Sequence, residues 1–85
     1  MVSSEIALAD LPKGQFGVIT AVQEHAFSPE MNRRLRELGL RVGSEVTTIM
    51  RTSAGGRVVK IDQTRYAVDK KTAKLIFVEV KEGAH

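Results

Sequence analysis

Residues 28–40 read SPEMNRRLRELGL, and they carry the most complete local signal in the chain. Ser28 is a favoured N-cap residue, and Pro29 follows at the first helical position, where its fixed backbone angle suits a helix. Three apolar residues recur at intervals of four and three, which places them on one helical face. They are Met31, Leu35 and Leu38.

The end of this stretch predicts where the helix stops. Gly39 stands at the position where a left-handed residue closes a helix. Leu40 follows it and can fold back on Leu35, one turn earlier, as a Schellman ending requires. We therefore predict one short α-helix over residues 29–38.

On both sides of the helix, short runs of β-branched and aromatic residues predict strands. The first is QFGVITAV at residues 15–22, where Gly17 indicates a bulge or a close backbone approach. Four more are predicted after the helix, at residues 45–51, 57–61, 66–68 and 75–80. Five short strands joined by tight turns, with one helix inserted after the first strand, indicate a mainly β fold. A small closed or nearly closed barrel fits this pattern, because closure protects strand edges.

The length of 85 residues predicts one domain with a small core. We expect residues 1–7 to be a flexible N-terminus, residues 8–80 to form the barrel, and residues 81–85 to be a polar tail. The expected core consists of Phe16, Val18 or Ile19, Leu35, Leu38, Val46, Ile49, Val59, Ile61, Val68, Ile76 and Val78.

Composition limits the chemistry and the location of the protein. The chain has 13 basic and 10 acidic residues, a net charge of +3, and no cysteine. Disulfides, zinc–thiolate sites and thiol catalysis are thereby excluded. The first ten residues lack the basic start and continuous apolar run of a signal peptide, and no run of about 18 apolar residues occurs. We expect a cytoplasmic protein.

Metal binding and catalysis find little support in the sequence. A ferrous site needs converging histidine and carboxylate ligands, and the two histidines are His25 in a loop and His85 at the chain end. No catalytic triad spacing, paired-carboxylate motif or phosphate-binding glycine motif is present. We expect no cofactor, no metal site, no small-molecule substrate and no enzymatic activity.

Several motifs together resemble the FeoA family. Residues 34–43, RLRELGLRVG, are similar to its RL-x-E-LG-x-x-x-G signature, and residues 73–78 are similar to its closing A-x-x-I-x-V. The opening L-x-x-L-x-x-G is matched by Leu8, Leu11 and Gly14, so the resemblance spans residues 8–80. Val42 and Asp62 depart from the family pattern, which often has proline and glycine there.

The resemblance implies an SH3-like β-barrel and an accessory, non-catalytic role in bacterial ferrous iron uptake. The implied partner is FeoB, a membrane transporter with a cytoplasmic GTP-binding domain, which would recruit the protein to the inner face of the membrane. The same domain also occurs as the C-terminal module of iron-dependent repressors, where it follows a DNA-binding segment. This chain begins at the barrel pattern, so we expect a stand-alone FeoA protein.

The candidate partner-binding surface is the charged side of the helix. It comprises Arg33, Arg34, Glu37 and, just beyond the helix, Arg41. The competing interpretation is that Glu30–Arg34 and Arg33–Glu37 form pairs at i,i+4, each stabilising the helix by about 0.2–0.5 kcal/mol.

Two alternatives stay open. The basic C-terminal half suggests a nucleic-acid-binding barrel, but the chain has only four aromatic residues for stacking, which predicts weak, salt-sensitive binding. The same scarcity disfavours recognition of proline-rich peptides. The basic residues of the nucleic-acid alternative are Arg57, Lys60, Arg65, Lys70, Lys71 and Lys74. The second alternative is weak self-association through an exposed strand.

Overall fold

A single antiparallel sheet of six strands is the main element of the computed structural model, which describes residues 5–81. The strands are β1 (Glu5–Ala7), β2 (Phe16–Val22), β3 (Glu45–Arg51), β4 (Arg57–Ile61), β5 (Thr64–Val68) and β6 (Ile76–Lys81). Helix α1 (Pro29–Glu37) follows β2, and the single-turn helix α2 (Lys70–Lys74) precedes β6. Two 3-10 turns, Leu8–Asp10 and Glu24–Ala26, complete the fold.

The strand order in space is β1-β6-β2-β3-β4-β5. The two central pairings, β2 with β6 and β2 with β3, join segments that are far apart in sequence. In the part of the chain that the structure describes, no ladder joins β1 to β5, so these two strands are the edges of the sheet. The prediction of a mainly β fold with one helix inserted after the first long strand is confirmed, with six strands in place of five.

The inner faces of the strands, together with α1, α2 and the first 3-10 turn, enclose one hydrophobic core. Its buried members are Leu8, Ala9, Leu11, Ile19, Leu35, Leu40, Val46, Val59, Ile61, Val68, Ala73, Ile76 and Val78. Seven partly buried hydrophobic residues pack against this cluster: Ile6, Val22, Phe27, Met31, Leu38, Tyr66 and Val80.

Helix α1 begins and ends as the sequence predicts. The Ser28 hydroxyl accepts a hydrogen bond of 3.1 Å from the amide of Met31. At the other end, Gly39 has φ +91° and the amide of Leu40 donates to the carbonyl of Leu35 at 2.8 Å. The last helical residue is Glu37, and Leu38 is the C-cap. The predicted helix and its Schellman ending are confirmed.

The N-terminal segment requires a correction. Residues 5–7, expected to be flexible, instead form β1 and pair with β6, with Glu5 opposite Glu79. A strand of three residues is too short to show alternation, and it forms because β6 offers a ready partner. Lys81, expected in the tail, is the last residue of β6. Residues 1–4 and 82–85 lie outside the described part, so the flexible N-terminus and the polar tail stay predictions for these residues.

The core prediction also needs correction at three positions. Phe16, Leu38 and Ile49 are only partly buried. In β2 the inward positions are Gly17 and Ile19, so Phe16 lies on the outer face. The pairing of β3 with β4 shifts register between Thr48 and Met50. Ile49 is therefore the extra residue of a bulge and Thr48 takes the inward place.

Candidate interaction surfaces

Helix α1 presents three different sides, and two of them are occupied. Leu35 faces the core and is buried. A second side rests on the 3-10 turn at Glu24: the Asn32 amide donates to the Glu24 carbonyl at 3.0 Å. The Arg36 guanidinium also lies 3.9 Å from the Glu24 carboxylate. The third side faces solvent and carries the charged residues singled out in the sequence.

Three of the four predicted partner-binding residues share this solvent side. Arg33, Arg34 and Glu37 line one shallow groove of about 460 Å³ along α1. Arg41 lies elsewhere, in a cavity of about 270 Å³ on the Glu24 side of the helix. We call the surface formed by Arg33, Arg34 and Glu37 the α1 face.

The ion pairs within α1, which were the competing interpretation of its arginines, do not form. Neither Glu30–Arg34 nor Arg33–Glu37 approaches within 4.0 Å in residues 5–81. The arginine that is paired is Arg36, with Glu24, and both of those side chains are more than half exposed. Exposed pairs gain little because two long side chains must be ordered in a screened environment. The α1 face thus keeps its charges free of intrahelical pairing.

A second groove runs between α1 and the edge strand β5. It has a volume of about 280 Å³ and is open to solvent on one side. From α1 and its C-terminal end it is lined by Met31, Arg34, Leu35, Leu38 and Leu40, and from β5 onward by Arg65, Tyr66, Ala67, Val68, Asp69 and Thr72. We call it the β5 groove. Sequence reasoning missed it, although a short strand with an exposed arginine is typical of a sheet edge.

The basic C-terminal half is less uniform than its sequence suggests. Arg57 is buried, with 6% of its surface exposed, and its guanidinium donates to the Gly56 carbonyl at 3.3 Å. The remaining basic side chains of this half are exposed. All four aromatic residues, Phe16, Phe27, Tyr66 and Phe77, are partly buried. Single-strand readers stack bases on exposed aromatic rings, and none of these four side chains is fully exposed.

Metal-ligating side chains are dispersed. Within residues 5–81, no three His, Cys, Asp or Glu residues lie close enough together to hold a metal ion. His25 is exposed beside Glu24, and His85 lies outside the described residues. None of the helices between residues 5 and 81 is long and apolar enough to cross a membrane.

Comparison with known proteins gives a consistent result. The family model for the FeoA domain matches residues 6–80. FeoA from Stenotrophomonas maltophilia is 33% identical, with a TM-score of 0.72, over 86% of this chain and 88% of that one. That protein is described as an SH3 domain protein in complex with zinc and as a candidate activating factor of bacterial ferrous iron transport.

More distant structures share the fold. A crystal structure described as the iron uptake regulatory protein FeoA superposes with a TM-score of 0.78 at 17% identity, covering 91% of this chain and 99% of that one. A manganese-dependent transcriptional repressor gives 0.81 at 21% identity, and this chain, covered over 95%, spans only 44% of the repressor. A search of curated proteins found no match. These likenesses confirm the predicted SH3-like fold.

Proposed function

The chain belongs to the FeoA family, and on that basis we propose that it is a non-catalytic accessory protein of bacterial ferrous iron uptake. The observation that carries this proposal is the family match over residues 6–80, supported by 33% identity to a protein described as a candidate ferrous iron transport activating factor. Its proposed partner is the cytoplasmic part of a FeoB-like GTPase-transporter. The protein would then act in the cytoplasm, recruited to the membrane by that partner.

The proposed contact is the α1 face. Arginine is enriched at protein interfaces because its planar guanidinium makes several directed hydrogen bonds and packs on apolar surface. Two arginines beside one glutamate form a pattern of mixed sign, which fixes orientation as well as attraction. The absence of i,i+4 pairing between these residues supports the proposal, since their donors are not already engaged within the helix.

Arg41 requires a separate test. It lines a cavity on the other side of α1, with Glu24 and Arg36. A partner that covers the α1 face would reach Arg41 only by wrapping around the C-terminal end of the helix. The single variant Arg41→Glu therefore separates a flat contact, which leaves the affinity unchanged, from a wrapped one, which loses affinity.

A nuclear magnetic resonance titration tests the proposed partner. Isotope-labelled protein is mixed with the soluble GTP-binding domain of the transporter from the same organism, first with GDP and then with a GTP analogue. We expect saturable amide shifts centred on residues 31–41, and a change between the two nucleotides would show that nucleotide state controls binding. The absence of any shift at high partner concentration would refute binding to this domain.

Charge reversal tests the α1 face itself. The double variant Arg33→Glu, Arg34→Glu should weaken binding about tenfold, mainly by slowing association, because exposed charges steer encounter. The variant with both Arg51→Glu and Lys60→Glu is the matched control, since it makes the same total charge change at exposed residues of β3 and β4. Equal affinities of the double variant and the control would rule out this face.

A further inference from the structure

Strand β5 has one side that no other strand covers. It pairs with β4 through a hairpin whose turn consists of Asp62 and Gln63, so Ile61 and Thr64 face each other across it. In such a two-residue hairpin the flanking pair is hydrogen-bonded, and bonded and non-bonded pairs then alternate. The amide and carbonyl groups of Arg65 and Ala67 consequently point away from β4.

These backbone groups have no partner within the described residues. Strand β5 pairs only with β4, and no backbone hydrogen bond outside the sheet involves Arg65 or Ala67. Both residues are exposed. An extended chain laid beside β5 could exchange hydrogen bonds with both, which is the geometry of strand addition to a sheet edge.

The β5 groove lies beside this free edge. Its apolar lining comes from both sides: Met31 and Leu38 of the α1 segment, and Tyr66 and Val68 of β5. All of these except Val68 are only partly buried, so apolar surface remains accessible. A volume of about 280 Å³ falls just below the range of roughly 300–1,000 Å³ found for small-molecule pockets. It suits side chains inserted at intervals better than a whole cofactor.

Charge around the groove selects the kind of chain that fits. Arg34 on α1 and Arg65 on β5 stand at its two sides, and neither forms an ion pair in residues 5–81. A neighbouring cavity of about 290 Å³ shares Ala67, Val68 and Asp69 with the groove and adds Lys70. Three cations against the single carboxylate of Asp69 favour an acidic occupant.

We propose that the free edge of β5 binds an extended acidic segment of a partner protein by strand addition. Alternate side chains of the segment enter the β5 groove and its carboxylates face Arg34 and Arg65. The inference rests on the proposed function in one respect only, the identity of the protein that carries the segment. The recognised chemistry, alternating apolar and acidic residues in an extended chain, follows from the groove itself.

A second copy of this chain fits the edge less well. Two β5 strands paired through their free edges would bring two copies of Arg65 and two of Arg34 to one seam. Like charges placed on opposing strands destabilise the pair. Sedimentation at increasing protein concentration tests this directly, and a dimer of the parent protein that Ala67→Pro abolishes would overturn the choice of an acidic partner segment.

The first experiment selects binders from a random library of displayed twelve-residue peptides against the intact protein. The expected outcome is enrichment of sequences that alternate acidic and apolar residues, with amide shifts of the protein centred on residues 64–69. No enrichment, or enriched peptides whose shifts centre away from β5, would overturn the proposal.

Alternate N-methylation of a selected peptide then tests strand addition. Methyl groups on the amides that face β5 should abolish binding, and methyl groups on the intervening amides should leave it within about threefold. Two equal effects would mean that the peptide does not bind as a strand. Ala67→Pro removes an outward-pointing amide without removing a bond to β4 and should also abolish binding, with Ala67→Ser as its matched control.

Single charge reversals distinguish this inference from the proposed function. Arg65→Glu lies in the β5 groove and outside the α1 face, and it should weaken the selected peptide about three- to tenfold. Arg33→Glu lies on the α1 face and outside the groove, and it should leave peptide binding unchanged. If the transporter domain binds but responds only to Arg33→Glu, the groove is not its contact. If the peptide binds as described but the transporter domain does not bind, the inference stands and the proposed partner falls.

Discussion

Replacement of Leu40 by alanine tests whether its buried side chain, just beyond the end of α1, holds the helix against the core. Leu40 is 1% exposed, and its amide closes the helix on Leu35. The substitution removes about three methylene equivalents, roughly 2.4 kcal/mol at about 0.8 kcal/mol each. The unfilled space brings the expected loss to about 3–4 kcal/mol. A domain of this size is stable by only about 4–13 kcal/mol, so the loss is a large fraction of the total.

The assay is urea unfolding followed by circular dichroism, with a thermal melt beside it. A loss of 3 kcal/mol lowers the Tm of a small domain by roughly 12 °C or more. Leu38→Ala is the matched control: the same substitution, two residues earlier, at a side chain that is only partly buried, should cost about 1–2 kcal/mol. The reasoning is refuted if Leu40→Ala stays within about 1 kcal/mol of the parent, or if Leu38→Ala costs more.

Three further substitutions test local geometry by the same unfolding assay. Gly17→Ala would place a Cβ 2.7 Å from the Glu79 carbonyl oxygen and should cost about 1–3 kcal/mol; an unchanged midpoint would contradict the close packing of β2 on β6. Ser28→Ala removes the N-cap bond and should cost about 1 kcal/mol, whereas Ser28→Asp keeps an acceptor; equal midpoints for the two would argue against the cap. Asp62 has φ +55° at the first position of its turn, so Asp62→Gly should gain roughly 0.5–1 kcal/mol, and a lower midpoint would disprove strain there.

Helix α1 could be predicted from sequence because all of its signals are local. The cap at Ser28, the spacing of the apolar residues and the left-handed Gly39 lie within one continuous stretch, and each acts over four residues or fewer. The cap and ending that they specify are those observed. The barrel as a whole was predicted from the resemblance to the FeoA family, which spans residues 8–80.

Strand faces were harder to predict because the decisive partners are distant. Residues 15–22 carry apolar residues at both odd and even positions. Alternation of apolar and polar residues therefore could not decide whether Val18 or Ile19 faces the core. The ladder with β6 decides for Ile19 and places Gly17 inward, where a side chain would meet Glu79. The bulge at Ile49 likewise depends on β4. Leu40 was not predicted as a core residue because it follows the helix and lies outside the helical spacing of apolar residues.

The candidate site divides in the same way. The α1 face follows from helical spacing, which placed Arg33, Arg34 and Glu37 together. Arg41 was grouped with them by nearness in sequence, and the turn at Gly39 carries it to another side. The β5 groove could not be foreseen, because which strand lies at the edge depends on the order of all six strands.

The pairing of β1 with β6 has a consequence for how this fold is joined to other chains. Glu5 and Glu79 face each other on adjacent strands, about 5 Å apart, and β6 ends two residues later at Lys81, so the two ends of the described chain are neighbours in space. A unit with neighbouring ends can be inserted into a host loop without stretching it, and it tolerates circular permutation. We expect that linking these ends and reopening the chain in the exposed loop at residues 52–54 would yield a folded permutant.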